Sequence, residues 1–303
     1  MQYKGGNILL STKKFDNRNI IKEGKDFYYL DYLSKNHKKS KGGNSSVFKL
    51  TDSNTQQEYA IKFLRFPSNS SDAFDIKQNI RFDNEINALN EAKQKGFSNV
   101  VEIIFDGEKS IGDFKFRFYV MEKASFDLSS FLQKNVIPVN QKLVLCYEIA
   151  NGLMQLHSMN LYHRDIKPDN IFFVQKNGKN IWKVGDLGLS ARRDQDLSKI
   201  EFREKIGPYG WLSPEVTNKV LCEGTEAEKW FDCKIDDKSD IFQLGKLLWF
   251  VFQGNIPIGQ IKYSDFLIKN KKVFSLILNM LQYKKNRRNE LLFYSNQLNA
   301  LTA

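Results

Sequence analysis

One short run of this chain, Tyr162-His163-Arg164-Asp165-Ile166-Lys167-Pro168-Asp169-Asn170, sets a carboxylate, a lysine and an amide at fixed offsets. Asp186-Leu187-Gly188 follows sixteen residues after Asn170. Those residue types at those spacings suit the movement of a phosphoryl group. Asp165 can accept a hydroxyl proton, and Lys167 can neutralise charge on the moving phosphate. Asn170 and Asp186 are oxygen donors of the kind that hold Mg²⁺ against a nucleotide's phosphates. An HxD pair alone would say little. HRDxKxxN demands five identities at set spacings and the DxG after it two more, against the alternative of a loop built from polar turn residues.

These motifs resemble those of the eukaryotic-type protein kinase family, and the rest of the chain follows that family's order. Ser40-Lys41-Gly42-Gly43-Asn44-Ser45-Ser46-Val47 is similar to the GxGxxGxV loop that covers phosphates, with serine at the first and third glycine positions. Glycine there lets backbone N–H groups approach a phosphate closely. Serine is small and adds a hydroxyl. Taken by itself the run also reads as a plain hairpin turn. Tyr59-Ala60-Ile61-Lys62 resembles the VAIK strand, which aims Lys62 at the α- and β-phosphates. Phe82 to Asn90 carries apolar residues at helical spacing, and Glu85 within it is the expected ion-pair partner of Lys62. Phe114 to Met121 alternates apolar and basic residues as a strand, leading into Glu122-Lys123-Ala124, which resembles the hinge that holds adenine. Met121 would gate the back of the pocket, and Asp127 would reach the ribose. Val47, Ala60 and Gly42 complete the set expected around the nucleotide.

Further on, Gly207-Pro208-Tyr209-Gly210-Trp211-Leu212-Ser213-Pro214-Glu215 resembles the segment that closes the activation loop. In the family that glutamate pairs with a buried arginine. Arg287 and Arg288 are both available, and Arg287 fits the spacing better. Ser239-Asp240-Ile241-Phe242-Gln243-Leu244-Gly245 resembles the SDxWSxG helix, whose aspartate braces the catalytic loop. Three departures stand out: the serines at 40 and 45, Pro208 where serine/threonine kinases keep a threonine, and Leu187 in the metal motif. An acidic insertion with Glu223, Glu226, Glu228, Asp232, Asp236 and Asp237 lies between Glu215 and Asp240.

The resemblance implies an α+β, bilobal fold, with a small antiparallel-sheet N-lobe carrying one key helix and a larger, mainly helical C-lobe. Tyr28–Leu33, Val47–Thr51, Glu58–Leu64, Val101–Asp106 and Phe114–Met121 are the expected strands. Leu143–Ser158 and Ile241–Gln253 are the expected core helices. Residues 1–26 form an extension, either strand-bearing or a loose tail, 27–122 the N-lobe and 123–303 the C-lobe. ATP is expected in the cleft between them, under Gly42 and above Asp186, with Mg²⁺ on Asn170 and Asp186.

Composition agrees with a folded enzyme. The 303 residues, 41% of them hydrophobic, suffice for two modest cores. The three cysteines, Cys146, Cys222 and Cys233, show no metal spacing and favour a reducing compartment. Cys146 reads as a core residue. The first residues have no signal-peptide layout, and the most apolar run, Leu247 to Phe252, is too short to span a bilayer, so a cytoplasmic location is expected. The net charge of +11 is spread along the chain with no nucleic-acid motif beside it, so attraction to acidic substrates or a solvated basic face is favoured over nucleic-acid binding.

The expected activity is transfer of the γ-phosphoryl group of Mg-ATP to serine and threonine hydroxyls of proteins. Lys167 and the lack of a tyrosine-kinase loop give the preference for serine and threonine. A catalytically silent kinase-like scaffold is the alternative, although Lys62, Glu85, Asp165, Asn170 and Asp186 are all present. A small-molecule phosphotransferase is a third reading, set against Ser213-Pro214-Glu215. Arg164 belongs to the class that needs a negative charge on the activation loop. Glu204, three residues before Gly207, either supplies it permanently or is a solvated loop charge.

Overall fold

The computed structural model describes residues 2–3, 6–7, 16–33, 44–176, 178–193 and 209–302. The chain divides into two compact units, Met1–Gly96 with Val101–Ala124, and Phe97–Val100 with Ser125–Ala303.

The first unit is a six-stranded antiparallel sheet with one long helix. Its strands are β1 (Ile20–Glu23), β2 (Asp26–Asp31), β3 (Ser45–Asp52), β4 (Glu58–Leu64), β5 (Ile103–Ile111) and β6 (Phe114–Glu122). They lie in the order β1-β2-β3-β4-β6-β5. The five expected strands are all present, and β1, from the N-terminal extension, adds a sixth at the edge. Its first carbonyl, Ile20 O, and Asn17 O of the turn before it accept from Lys109 Nζ of β5 at 2.7 and 3.0 Å.

Register sorts the sheet into two faces, because successive side chains on a strand point opposite ways. Phe48 faces Ile61, which faces Val120. With Leu50, Phe63, Phe116, Phe118, Leu30, Tyr28 and Ile21 they make one buried apolar cluster. One residue out of step lies the other face: Val47 opposite Lys62 opposite Tyr119, and Ala60 opposite Met121. Thus Val47, Ala60, Lys62 and Met121, four of the residues expected around the nucleotide, share a face, and the core is on its reverse.

Helix α1 (Ala73–Gln94) starts nine residues before the expected segment. Asp72 caps it, accepting from the N–H groups of Phe74 and Asp75 at 2.9 and 3.1 Å. Its first turns carry few apolar residues in a stripe, so periodicity shows only the part from Phe82 onward.

The second unit is mainly helical: α2 (Leu128–Lys134), α3 (Val139–His157), α4 (Pro214–Cys222), α5 (Asp237–Gln253), α6 (Lys271–Met280) and α7 (Leu291–Thr302). A hairpin of β7 (Ile171–Lys176) and β8 (Lys179–Val184) pairs with Phe126–Asp127. Helix α5 opens on a capping box between Asp236 and Ser239 and ends on Gly254, whose φ of 80° is the left-handed C-cap. Cys146 of α3 is fully buried, as its apolar surroundings in sequence suggest, and burial pushes its thiol up. No described helix is long and apolar enough to cross a membrane.

Gly152 on α3 sets the approach of this helix to β8. A Cβ there would stand 2.5 Å from the Asn99 carbonyl oxygen and 2.8 Å from Val184 Cγ2. Alanine gains roughly 0.5–1 kcal/mol of helix preference over glycine. Overpacking against backbone costs about 1–3 kcal/mol, so the clash wins. Gly152→Ala is therefore expected to lower the unfolding midpoint. A variant at least as stable as wild type in thermal denaturation would refute this close approach.

Candidate active site

Two sets of functional side chains are built, one in each unit. In the first, Lys62 is carried by β4 and Glu85 by α1, both buried. Lys62 Nζ donates to Glu85 Oε1 at 2.8 Å and Oε2 at 3.0 Å, so the pair expected from position in the sequence is formed. Tyr119, which sequence reasoning passed over, donates its hydroxyl to Glu85 Oε1 at 2.9 Å. The segment after β6 is also defined. The Glu122 N–H donates to the Glu102 carbonyl at 3.0 Å, and Glu122 Oε1 accepts from Glu102 N at 2.7 Å. Ala124, just past the strand, makes no backbone hydrogen bond among the described residues. Gly42 lies outside the described residues, as do Pro208, Ser198 and Glu204.

In the second unit the catalytic-loop motif folds back on itself. Lys167 begins a 3₁₀ turn, Pro168–Asn170, whose proline supplies the fixed φ of a first turn. The turn returns Asn170 to Asp165. Asn170 Nδ2 donates to the Asp165 carbonyl oxygen and to Oδ2, both at 2.8 Å. Lys167 Nζ donates to the same Oδ2 at 2.5 Å. Asp165 Oδ1 is left buried with no hydrogen-bond partner among the described residues. A buried acceptor without a donor is costly, which singles this oxygen out as a candidate contact point.

The Asp186 motif is tied to this loop. Gly185 N–H donates to the Asn170 carbonyl at 3.0 Å, and Val184 N–H to the Asn99 carbonyl at 2.8 Å. His163, fully buried, accepts at Nδ1 from Asp165 N–H at 3.2 Å, which leaves Nε2 to donate to the Gly185 carbonyl at 3.0 Å. Asp186 adopts φ of +58°, a left-handed conformation uncommon for a non-glycine residue, and its side chain is exposed. Leu187 is buried and packs as an apolar residue. Asn170's amide protons face Asp165. Its amide oxygen and the Asp186 carboxylate are donors of the hard-oxygen kind that suits Mg²⁺, so the two residues fit the metal role expected of them. Among the described residues no group of three or more His, Cys, Asp or Glu could hold a metal. Asp127 caps α2, its Oδ1 accepting from Ser130 N–H at 2.7 Å.

Helix α5 braces the loop from beneath. Asp240 Oδ1 accepts the Arg164 N–H and Oδ2 the His163 N–H, each at 2.8 Å. His157 Nε2 also meets Oδ2 at 2.8 Å. Gln243, one turn on, accepts from Ile166 N–H at 3.1 Å and donates to the Arg164 carbonyl at 3.0 Å. Two successive N–H groups converging on one carboxylate require an unusual backbone, and Arg164 has φ of +69°. Asp240 was legible from its motif. His157 and Gln243 were not, although each sits on the helical face that their partner demands.

Residues 34–301 match the protein kinase domain family. The chain belongs to the protein kinase family. Among its relatives, the kinase mph1 of Schizosaccharomyces pombe, a serine/threonine-protein kinase, is 26% identical over 226 residues, 73% of this chain and 31% of that protein. The dual specificity protein kinase Ttk of Danio rerio is 24% identical over 252 residues, 82% of this chain and 23% of its own length. The sensor for unfolded proteins in the ER, ire1 of Schizosaccharomyces pombe, is 32% identical over 164 residues, 48% of this chain and 15% of that protein. The chain thus spans less than a third of each of these three.

Kinase-family spacing favours Arg287 as the partner of Glu215, and the structure corrects this to Arg288. A 3₁₀ turn at Lys285–Arg287 leaves Arg287 exposed and swings the next residue inward. Arg288 gives all five of its N–H bonds: to Glu215 Oε1 and Oε2 at 2.7 and 3.1 Å, and to the carbonyls of Gln282, Lys238 and Tyr283 at 2.7, 2.7 and 3.0 Å. Lysine has three donors and no fork. Removing one partner of a buried pair costs about 3–5 kcal/mol. Arg288→Ala should fall near that range by chemical denaturation, Arg288→Lys below it because the charge is kept and the fork lost, and Arg287→Ala within about 0.5 kcal/mol of wild type. Equal effects of Arg288→Ala and Arg287→Ala would contradict the pairing.

Burial alone would raise the Asp240 carboxyl. The hydrogen bond from His157, the largest opposing cause, and the Arg164 N–H hold it below the ordinary range. A depressed acid stabilises fully above its unfolded value, roughly pH 4, and the contribution disappears as pH falls through the lower folded value. Asp240→Asn should therefore destabilise the protein at neutral pH and flatten the acid limb of its stability curve. An unchanged acid limb, measured by circular dichroism, would show that Asp240 does not carry this linkage.

Proposed function

We propose that the chain is an ATP-dependent protein kinase that transfers the γ-phosphoryl group of Mg-ATP to serine and threonine hydroxyls of proteins. The observation that carries this reading is the Asp165 carboxylate. One oxygen is held by Lys167 and Asn170, and the other is buried and unpartnered. That arrangement fixes the orientation of the acid and reserves one oxygen for a substrate hydroxyl.

In this reading Asp165 orients the hydroxyl and takes its proton. Lys167, already beside Asp165, neutralises charge on the group in transfer. Lys62 holds phosphate oxygens with its position set by Glu85. Val47, Ala60 and Met121, which share one face of the sheet, line the base, with Gly42 over the phosphates. Glu122 and Ala124 offer backbone groups to adenine, and Asp127 reaches the ribose. Asn170 and Asp186 hold Mg²⁺, which when bound neutralises phosphate charge. Preference for serine and threonine rests on Lys167 and the absence of a tyrosine-kinase loop, as does the choice of protein substrates on Ser213-Pro214-Glu215.

Asp165→Asn and Asp186→Asn should each lower kcat ~10²-fold or more while leaving circular dichroism unchanged, since base and metal contributions are each of that order. Lys62→Met keeps the stem and should impair catalysis far more than folding. Its effect and that of Glu85→Ala on kcat/KM should be non-additive. The decisive assay incubates the protein with labelled Mg-ATP and mixed protein substrates and maps the products. Phosphoserine and phosphothreonine are expected. A map dominated by phosphotyrosine would overturn the specificity, and no transfer by the wild type would leave a silent scaffold.

A further inference from the structure

Helix α1 is fastened to its own unit by polar contacts at several levels. Gln78 Oε1 accepts from Asn44 Nδ2 at 3.0 Å, Asn44 being the residue immediately before β3. Asn79 Nδ2 donates to the Pro67 carbonyl at 3.0 Å. Asp83 Oδ1 accepts from Arg117 Nε at 3.0 Å, and Lys93 Nζ donates to the Ile104 carbonyl at 3.0 Å. The contact at Glu85 differs from these, because it joins the helix to a residue proposed to touch phosphate.

There the second donor is Tyr119. Its ring stands directly across from Lys62 in the β4–β6 ladder, is 1% exposed, and packs 5.4 Å from the ring of Phe82 on α1. Its hydroxyl meets Glu85 Oε1 at 2.9 Å, and Lys62 Nζ lies 5.7 Å over its ring centroid. The rotamer is thus fixed by packing on both sides, and the hydroxyl is aimed at one oxygen of a buried carboxylate.

We propose that Tyr119 is a positioning residue for phosphoryl transfer: it holds Glu85, and through it Lys62 and helix α1, in the arrangement that presents Lys62 to phosphate. This rests on the kinase reading above. The physical reason is competition for one ammonium. Lys62 uses two of its donor directions on Glu85. When it shares itself with a phosphate, Glu85 loses part of that contact while remaining almost completely buried. The tyrosine hydroxyl keeps one carboxylate oxygen satisfied and the helix in place.

Tyr119→Phe removes only the hydroxyl. A hydrogen bond to a charged group corresponds to roughly a tenfold or larger factor, so kcat/KM for ATP should fall about tenfold. In a Glu85→Gln background the same change should add little, because its target is altered. Amide hydrogen exchange of residues 82–90, measured without nucleotide, should accelerate in Tyr119→Phe and not in the exposed control Tyr283→Phe. Unchanged kinetics with unchanged exchange would overturn the proposal. So would a kinetic loss that is the same size in the Glu85→Gln background, since that marks general destabilisation. A wild-type chain that transfers no phosphate would sink the kinase reading instead, while the exchange comparison still decides whether Tyr119 holds the helix.

Discussion

One buried carboxylate organises the second unit. Asp240 has no solvent exposure and receives two consecutive backbone N–H groups and a histidine. Taking such a charge out of water is expensive, and only several well-aligned donors offset it. The return is a loop whose backbone has little freedom. Arg164 stays in a left-handed conformation because Asp240 and Gln243 over-determine it. Asp165, the next residue, inherits its direction from that constraint, and its N–H is in turn held by His163. The acid of the proposed reaction is thus placed mainly by the backbone of its loop, which is bonded to a helix, so only one of its carboxylate oxygens, Oδ2, is used in anchoring.

The first unit reaches the same end by register. Strands β3, β4 and β6 put large apolar side chains on one face and Val47, Ala60, Lys62, Tyr119 and Met121 on the other. A slip of one residue would exchange the faces, burying Lys62 in the apolar cluster. The cost of that exchange fixes the register, and fixing the register fixes where Lys62 stands relative to Glu85. The core and the Lys62–Glu85 pair are therefore two readings of one alternating pattern, which is why a short strand motif can locate this lysine.

The motifs with strict spacing were legible because local chain geometry does most of the positioning. Asp165, Lys167 and Asn170 lie within one turn-forming loop, so their separation in sequence nearly dictates their separation in space. Lys62 and Glu85 were recoverable by order along the chain, although neither is distinctive alone. What the sequence hid depends on long-range geometry. Tyr119 reads as one more aromatic in an aromatic strand, and only the ladder with β4 shows that it faces Glu85. Arg288 against Arg287 turns on a single 3₁₀ turn, which shifts the inward position by one residue. The first half of α1 was obscured because that helix docks through Gln78, Asn79 and Asp83 as well as through apolar residues, and polar docking leaves no periodic stripe.

The charge balance is resolved in the same local way. The cluster Lys284 to Arg288 invites a nucleic-acid reading when counted along the chain. In the fold, Lys285 is bound by Asp232 at 3.0 Å, by Asp236 at 2.9 Å and by the Lys234 carbonyl, and Arg288 is bound by Glu215. Burial alone would lower the Lys285 ammonium, but its two carboxylate partners outweigh that and hold it above its ordinary value. Asp232 and Asp236 belong to the acidic insertion, and Asn218 of α4 secures that segment by donating to the Asp232 carbonyl at 3.1 Å. The insertion and the basic run are therefore two halves of one electrostatic contact. Each looks like an interaction tail in sequence, and each is partly consumed by the other. Cations engaged in this way cannot also release counterions from a phosphate backbone, so the excess of lysine over acid overstates the charge this face offers to a polyanion.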